Sequence, residues 1–180
     1  MPFLFAPPAQ AVIPVQDERY EYFPVRRVYG IAKNYATPGT PKPETLEEAL
    51  VFMKPADGVM PVEDGAVLTI PMPEGSESIV HEIELVACLS KGGRNLTPEE
   101  AEEAVWGWCV GIDFTRPEKK VPGGPWEAAK VFEGSAPVSH VRPKHRTPLP
   151  ACGHLALREQ SKAPVGSHRS DVALALRGDR

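Results

Sequence analysis

Twenty-one of the 180 residues are proline, more than twice the usual share of about 5%. Proline cannot donate to a sheet ladder and is excluded from helix interiors. A chain interrupted this often must be assembled from short strands and turns. Between the interruptions, aliphatic and β-branched runs predict strands over residues 25–31, 51–53, 67–70 and 79–89. Thr45 is placed to cap a short helix over 45–50, with Glu48 in the capping-box position. A clearer helix is predicted over 97–105, where Thr97 precedes Pro98 and Glu100 stands three residues after the cap. The pattern predicts a mainly β (α+β) domain without internal repeats.

The predicted strand over 79–89 carries an electrostatic problem. Residues two apart in a strand share a face, so Val80, Glu82, Glu84, Val86 and Cys88 line one side. His81, Ile83, Leu85, Ala87 and Leu89 line the other. Two carboxylates on an otherwise apolar face repel, and burying them without partners is costly. A hard divalent cation with oxygen ligands would compensate them. An edge strand with both glutamates in water would avoid the problem altogether.

A second alternating stretch runs from Trp106 to Thr115. Trp106, Trp108, Val110, Ile112 and Phe114 form a bulky apolar face. Gly107, Cys109, Gly111, Asp113 and Thr115 form a small-sided face that ends in a carboxylate. This contrast predicts a core on the bulky side and a cavity on the small one, since glycine in a strand often marks a close approach. Asp113 is then a candidate third carboxylate beside Glu82 and Glu84, in a set suited to Mg²⁺, Mn²⁺ or Ca²⁺ rather than zinc. The competing reading of Asp113 is a turn or cap aspartate.

Composition narrows the classes. Hydrophobic residues make up 42% of the chain, which is the range of a packed domain. A net charge of −4 gives no basic footprint for nucleic acid. No apolar run approaches the roughly 20 residues needed to span a bilayer, and the N-terminus lacks the basic region of a signal peptide. Cys88, Cys109 and Cys152 are widely spaced and odd in number, as expected of reduced thiols in a cytoplasmic protein. Glycine-rich segments at 91–94 and 122–125 lack phosphate-loop spacing. Lys54, before Pro55, reads as a solvated lysine.

Five fragments occur in order. They are Val28-Tyr29-Gly30-Ile31-Ala32-Lys33-Asn34-Tyr35, Val51-Phe52-Met53-Lys54-Pro55, His81-Glu82-Ile83-Glu84-Leu85, Gly111-Ile112-Asp113-Phe114-Thr115-Arg116 and Gly124-Pro125-Trp126-Glu127-Ala128-Ala129-Lys130. Together they resemble the fumarylacetoacetate hydrolase superfamily, in particular its acylpyruvate and fumarylpyruvate hydrolase branch, from about Val25 to Pro143. The resemblance implies a β-roll, here incomplete, and a Mg²⁺ or Mn²⁺ ion on Glu82, Glu84 and Asp113. It also implies substrate-side roles for Lys130 and Arg116, an active cleft bordered by the Phe52-Met53-Lys54-Pro55 segment, a small keto-acid substrate and a homodimer.

The departures are equally specific. The family commonly follows the Asn-Tyr pair with a histidine and a glutamate that activate water. The stretch from Asn34 to Glu44 holds no histidine, although Glu44, Glu47 or Glu48 could supply the acid. Family motifs expected after Pro143 are missing. The expected organisation is therefore an N-terminal arm (1–24), a catalytic core (25–143) and a diverged or truncated tail (144–180), the product of a frameshift on one reading. Within the tail, 172–176 could form a short strand or a helical turn. The implied reaction is metal-dependent hydrolysis of a C–C bond in a 1,3-dicarbonyl acid. The alternatives are a metal-dependent decarboxylase or tautomerase of a 2-keto acid, and a catalytically degenerate metal-binding remnant.

Overall fold

The computed structural model describes residues 3–32, 34 and 50–147, together with the backbone of a strand at 172–175. The helix expected over 45–50 lies outside the described residues except at Leu50, which is extended.

Proline spacing accounts for the strand lengths. β1 (Val12–Pro14) and β2 (Tyr22–Pro24) each stop at a proline and pair as an antiparallel hairpin. β3 (Val28–Ala32) pairs antiparallel with β4 (Leu50–Lys54), which ends before Pro55. β5 (Val59–Pro61) closes on Pro61, and β6 (Val67–Ile70) is followed by Pro71. Residues 74–97 and 99–116 contain no proline, and the two longest strands form there. These are β7 (Val80–Leu89) and β8 (Val105–Thr115), joined through α1 (Pro98–Ala104). α2 (Glu127–Lys130), β9 (Ala136–Val138), β10 (Arg142–Pro143) and β11 (Val172–Ala175) follow.

The capping box expected at Thr97 is present. Its hydroxyl accepts from the Glu100 backbone N–H at 3.2 Å, and the Glu100 carboxylate accepts from the Thr97 N–H at 2.8 Å. This arrangement ends the loop and starts α1 at Pro98, where a missing N–H costs nothing. α1 then returns the chain directly into β8.

β7 and β8 run antiparallel along nearly their full lengths. On its other edge β8 pairs with β10 near Gly107 and Trp108 and with β9 at Gly111; β5 adds to β9 in parallel. β11 pairs antiparallel with β6, so the part of the tail over 172–175 is strand rather than helical turn. The expected N-terminal arm contributes the strands β1 and β2 and packs against the rest of the fold. Its Ile13 is buried with Val25, Cys88, Cys109, Val138 and Val141, and Val15 bridges Val141.

The expected division of β8 into a packed bulky face and an open small-sided face is corrected by the structure. Gly107, Cys109, Gly111, Asp113 and Thr115 are all buried, whereas Val110 on the bulky face is 37% exposed. The small side chains admit close neighbours rather than a void. A Cβ on Gly107 would stand 2.5 Å from the Arg142 carbonyl oxygen, and one on Gly111 would stand 2.7 Å from Val86 Cγ2. On the bulky face only Ile112 and Phe114 are fully covered, in a second core with Ile70 and Ile79. β8 is therefore packed on both sides, at different heights.

The β3–β4 ribbon divides in the same manner. Phe52 and Lys54 are buried on one face, while Tyr29, Ile31, Val51 and Met53 are exposed on the other.

Candidate active site

The register of β7 on β8 decides which carboxylates meet. Glu82 is the direct cross-strand partner of Asp113, and Glu84 is the partner of Gly111. Directly paired residues point to the same side of a sheet. All three carboxylates therefore share one face, as the two separate alternations require. His81 pairs with Phe114 on the opposite face.

Two buried lysines close over this face. α2 packs against β4 and β8, and the Ala129 carbonyl accepts from the Arg116 N–H at 2.9 Å. This anchorage delivers Lys130, 1% exposed, beneath the strand pair. Its ammonium donates to Glu82 Oε2 at 3.1 Å and to Asp113 Oδ2. The same ammonium stands 4.6 Å from the Phe52 ring centroid and 6.0 Å from that of Trp126. Cation–π attraction to those faces adds to the carboxylate contacts.

Lys54, at the end of β4, is 5% exposed. Its Nζ donates to the backbone carbonyls of Phe114 at 2.9 Å, Lys130 at 3.1 Å and Ser135 at 2.8 Å. A lysine has three donors, and these acceptors use all of them. Asp113 Oδ1 lies 2.8 Å from the same ammonium in a buried salt bridge. Burial pushes the Lys54 ammonium below its ordinary pKa, with the charge of Asp113 opposing that shift. The reading of Lys54 as a solvated lysine is therefore corrected. A sequence signal existed, because Phe52 and Lys54 share a face and Phe52 is the residue that β4 buries.

The sequence-derived residues do not all converge. Arg116 turns away from the carboxylates, with Nε 3.6 Å from Glu118 Oε1 and an NH₂ group donating to the Glu74 carbonyl at 3.3 Å. Glu84 lies two residues along β7 from Glu82, about 7 Å at strand rise. Among the described residues no three His, Cys, Asp or Glu side chains come close enough to hold an ion. Lys130 instead spans Glu82 and Asp113, because an ammonium satisfies the paired negative charges that a cation would.

By donor chemistry the set nevertheless fits a hard divalent ion. The three oxygen-donor side chains share one face, and the Lys130 ammonium between Glu82 and Asp113 already stands where a cation would. Cys88 and Cys109 point into the core below and are 4% exposed. A hydrogen bond to Cys88, followed by burial, pushes the Cys109 thiol up. That shift suits packing rather than ligation.

Residues 27–163 match the fumarylacetoacetate hydrolase C-terminal family. A fumarylpyruvate hydrolase from Pseudomonas aeruginosa, solved in complex with Mn²⁺ and pyruvate, is 39% identical with a TM-score of 0.74; the match covers 83% of this chain and 66% of that one. The mitochondrial oxaloacetate tautomerase of Mus musculus is 33% identical over 138 residues, 74% of this chain and 61% of the relative. The fumarylpyruvate hydrolase of Ralstonia sp is 29% identical over 109 residues, 58% of this chain and 55% of the relative. The chain spans little more than half the length of the curated relatives it matches. A family match over well more than half of its residues, together with the likeness to a solved relative, places this chain in the fumarylacetoacetate hydrolase family.

Proposed function

We propose that this chain is a divalent-metal-dependent enzyme of small 2-keto acids, and that its reaction is hydrolytic cleavage of a C–C bond in a 1,3-dicarbonyl acid of the acylpyruvate or fumarylpyruvate type. The observation that carries the reading is the Glu82–Asp113 pair spanned by the buried Lys130 ammonium, on the face that also holds Glu84. The Mn²⁺ and pyruvate in the Pseudomonas aeruginosa relative support it. Glu82, Glu84 and Asp113 would hold Mg²⁺ or Mn²⁺. Once bound, that ion supplies Lewis acidity to the keto and carboxylate oxygens of a substrate.

The remaining chemistry belongs to the chain's own side chains. Three carboxylates facing two ammoniums leave one net negative charge, which a divalent ion turns into one net positive charge. An anionic keto acid is drawn to such a site. Lys130 presents N–H donors where enolate charge develops, in surroundings dry enough for the interaction to be strong. Phe52 and Trp126, with ring centroids 6.0 Å apart, wall that ammonium from water.

A second reading is metal-dependent tautomerisation or decarboxylation of a 2-keto acid. It is favoured by the lack of histidine between Asn34 and Glu44, since neither reaction needs an activated water. The similarity to oxaloacetate tautomerases points the same way. We also propose a homodimer, supported by the exposed Tyr29, Ile31, Val51 and Met53, a grouping that commonly marks an interface. Size-exclusion chromatography with light scattering is expected to return twice the chain mass.

The decisive experiment is an assay of the full chain with Mn²⁺ or Mg²⁺ against acylpyruvates, fumarylpyruvate and oxaloacetate. Metal-dependent C–C cleavage that is lost in Glu82→Ala supports the first reading. Turnover of oxaloacetate alone supports the second. No turnover of any substrate, with metal affinity unchanged in Glu82→Ala, defeats both and leaves a degenerate remnant.

A further inference from the structure

The two lysines that meet Asp113 are held in different ways. The hydrogen bonds of Lys130 go to side-chain carboxylates, and those acceptors are the ones a divalent ion would take. Lys54 spends its three donors on backbone carbonyls from three separate segments: the end of β8, the end of α2 and the turn before β9. Moving the ammonium would take a hydrogen-bond donor from all three carbonyls at once, although the Ser135 carbonyl also accepts from the Phe114 N–H at 3.1 Å. Lys54 is therefore fixed by the backbone, and its salt bridge is made to Asp113 Oδ1. Lys130 faces Oδ2, the oxygen shared with the Glu82 side.

We infer that Lys54 is the positioning residue of the site: it ties Asp113 Oδ1 to the Phe114, Lys130 and Ser135 carbonyls so that only Oδ2 is presented to a divalent ion, while Lys130 is the ammonium that yields. The inference rests on the metal-site reading above and assigns a role to a residue outside the ligand set. It predicts opposite consequences for the two lysines, although each removes one positive charge. Without Lys54, Asp113 loses its fixed orientation. Without Lys130, a competitor for Glu82 and Asp113 is removed.

The test is Mn²⁺ binding to the full chain, read from the free-Mn²⁺ electron paramagnetic resonance signal, in wild type, Lys54→Met and Lys130→Met. Lys54→Met should bind about 10- to 100-fold more weakly, the usual effect of deleting a partner that orients a metal ligand. Lys130→Met should bind at least as tightly as wild type. A folded Lys54→Met that matches wild type, or binds more tightly, overturns the inference, since loss of charge or a purely fold-holding role would give that result. Absence of Mn²⁺ binding by wild type defeats the metal-site reading and the inference with it.

Should Lys54→Met not fold, lysine-ammonium NMR of ¹⁵N-lysine-labelled wild type with Mg²⁺ decides the matter. The protected ammonium resonance that survives in Lys130→Met belongs to Lys54, and it should persist when Mg²⁺ is added while that of Lys130 shifts or vanishes. Loss of the Lys54 resonance on adding Mg²⁺, or its absence throughout, overturns the inference.

Discussion

Replacing Asp113 by asparagine keeps the shape of the side chain and deletes the charge that two buried ammoniums share. Lys54 Nζ is 2.8 Å from Asp113 Oδ1, a gross attraction of about 6 kcal/mol at an effective dielectric near 20. Most of that is offset by the cost of taking both ions out of water. Breaking a buried pair from one side leaves the offset uncompensated, and the net loss is about 3–5 kcal/mol. Lys130, 1% exposed, then retains its salt bridge to Glu82. Glu82→Gln removes the other carboxylate of the group, yet Glu82's side chain is 35% exposed. Water screens that pair, so its loss should cost no more than about 1 kcal/mol. The assay is urea denaturation with excess EDTA, so that metal affinity does not contribute. At about 2–4 °C per kcal/mol for a chain of this size, Asp113→Asn should also melt roughly 6–20 °C lower. Equal losses in the two variants, or an Asp113→Asn within about 1 kcal/mol of wild type, would show that the buried lysines do not depend on Asp113.

Other expectations follow from local geometry. In Gly30→Ala the new Cβ would stand 2.2 Å from Phe52 Cζ, and displacing that ring should cost about 1–3 kcal/mol by denaturant titration. Thr97→Ala removes one half of the capping box and should cost about 0.5–2 kcal/mol, with Mn²⁺ affinity unchanged. Cys109 has a folded-state pKa raised above its unfolded value of 9.0. Its contribution to stability is therefore complete below pH 9 and declines as pH rises beyond it, because only the unfolded chain releases the proton. Cys109→Ala should flatten the fall in melting temperature between pH 8.5 and pH 10; an unchanged slope would refute this.

The legible part of the protein was its local periodicity. Two independent alternations placed Glu82 and Glu84 on one face of β7 and Asp113 on one face of β8, and the cross-strand register joins those faces. The Thr97 capping box was equally readable, since its partners stand three residues apart. Arg116 was not readable in this way. Its position after the Asp-x-Thr fragment says nothing of its contacts, which the fold sets by bringing Glu118 and the Glu74 carbonyl to its guanidinium. The covered face of β8 was also misread, because small residues leave room that other segments fill. Here those include the β1–β2 hairpin, which brings in Ile13.

Sequence alone determined where strands could be long, because proline confines uninterrupted ladders to residues 74–97 and 99–116. It also determined which side chains share a face, because a strand repeats every two residues. Tertiary structure alone decided what neutralises the carboxylates. Lys54 meets its carbonyl acceptors across separations of 60, 76 and 81 residues, and Lys130 reaches Glu82 across 48. No periodic pattern encodes contacts of that span. They exist because α2 and the turn before β9 fold back over the β7–β8 pair, where a buried charge must find its opposite or not be buried at all.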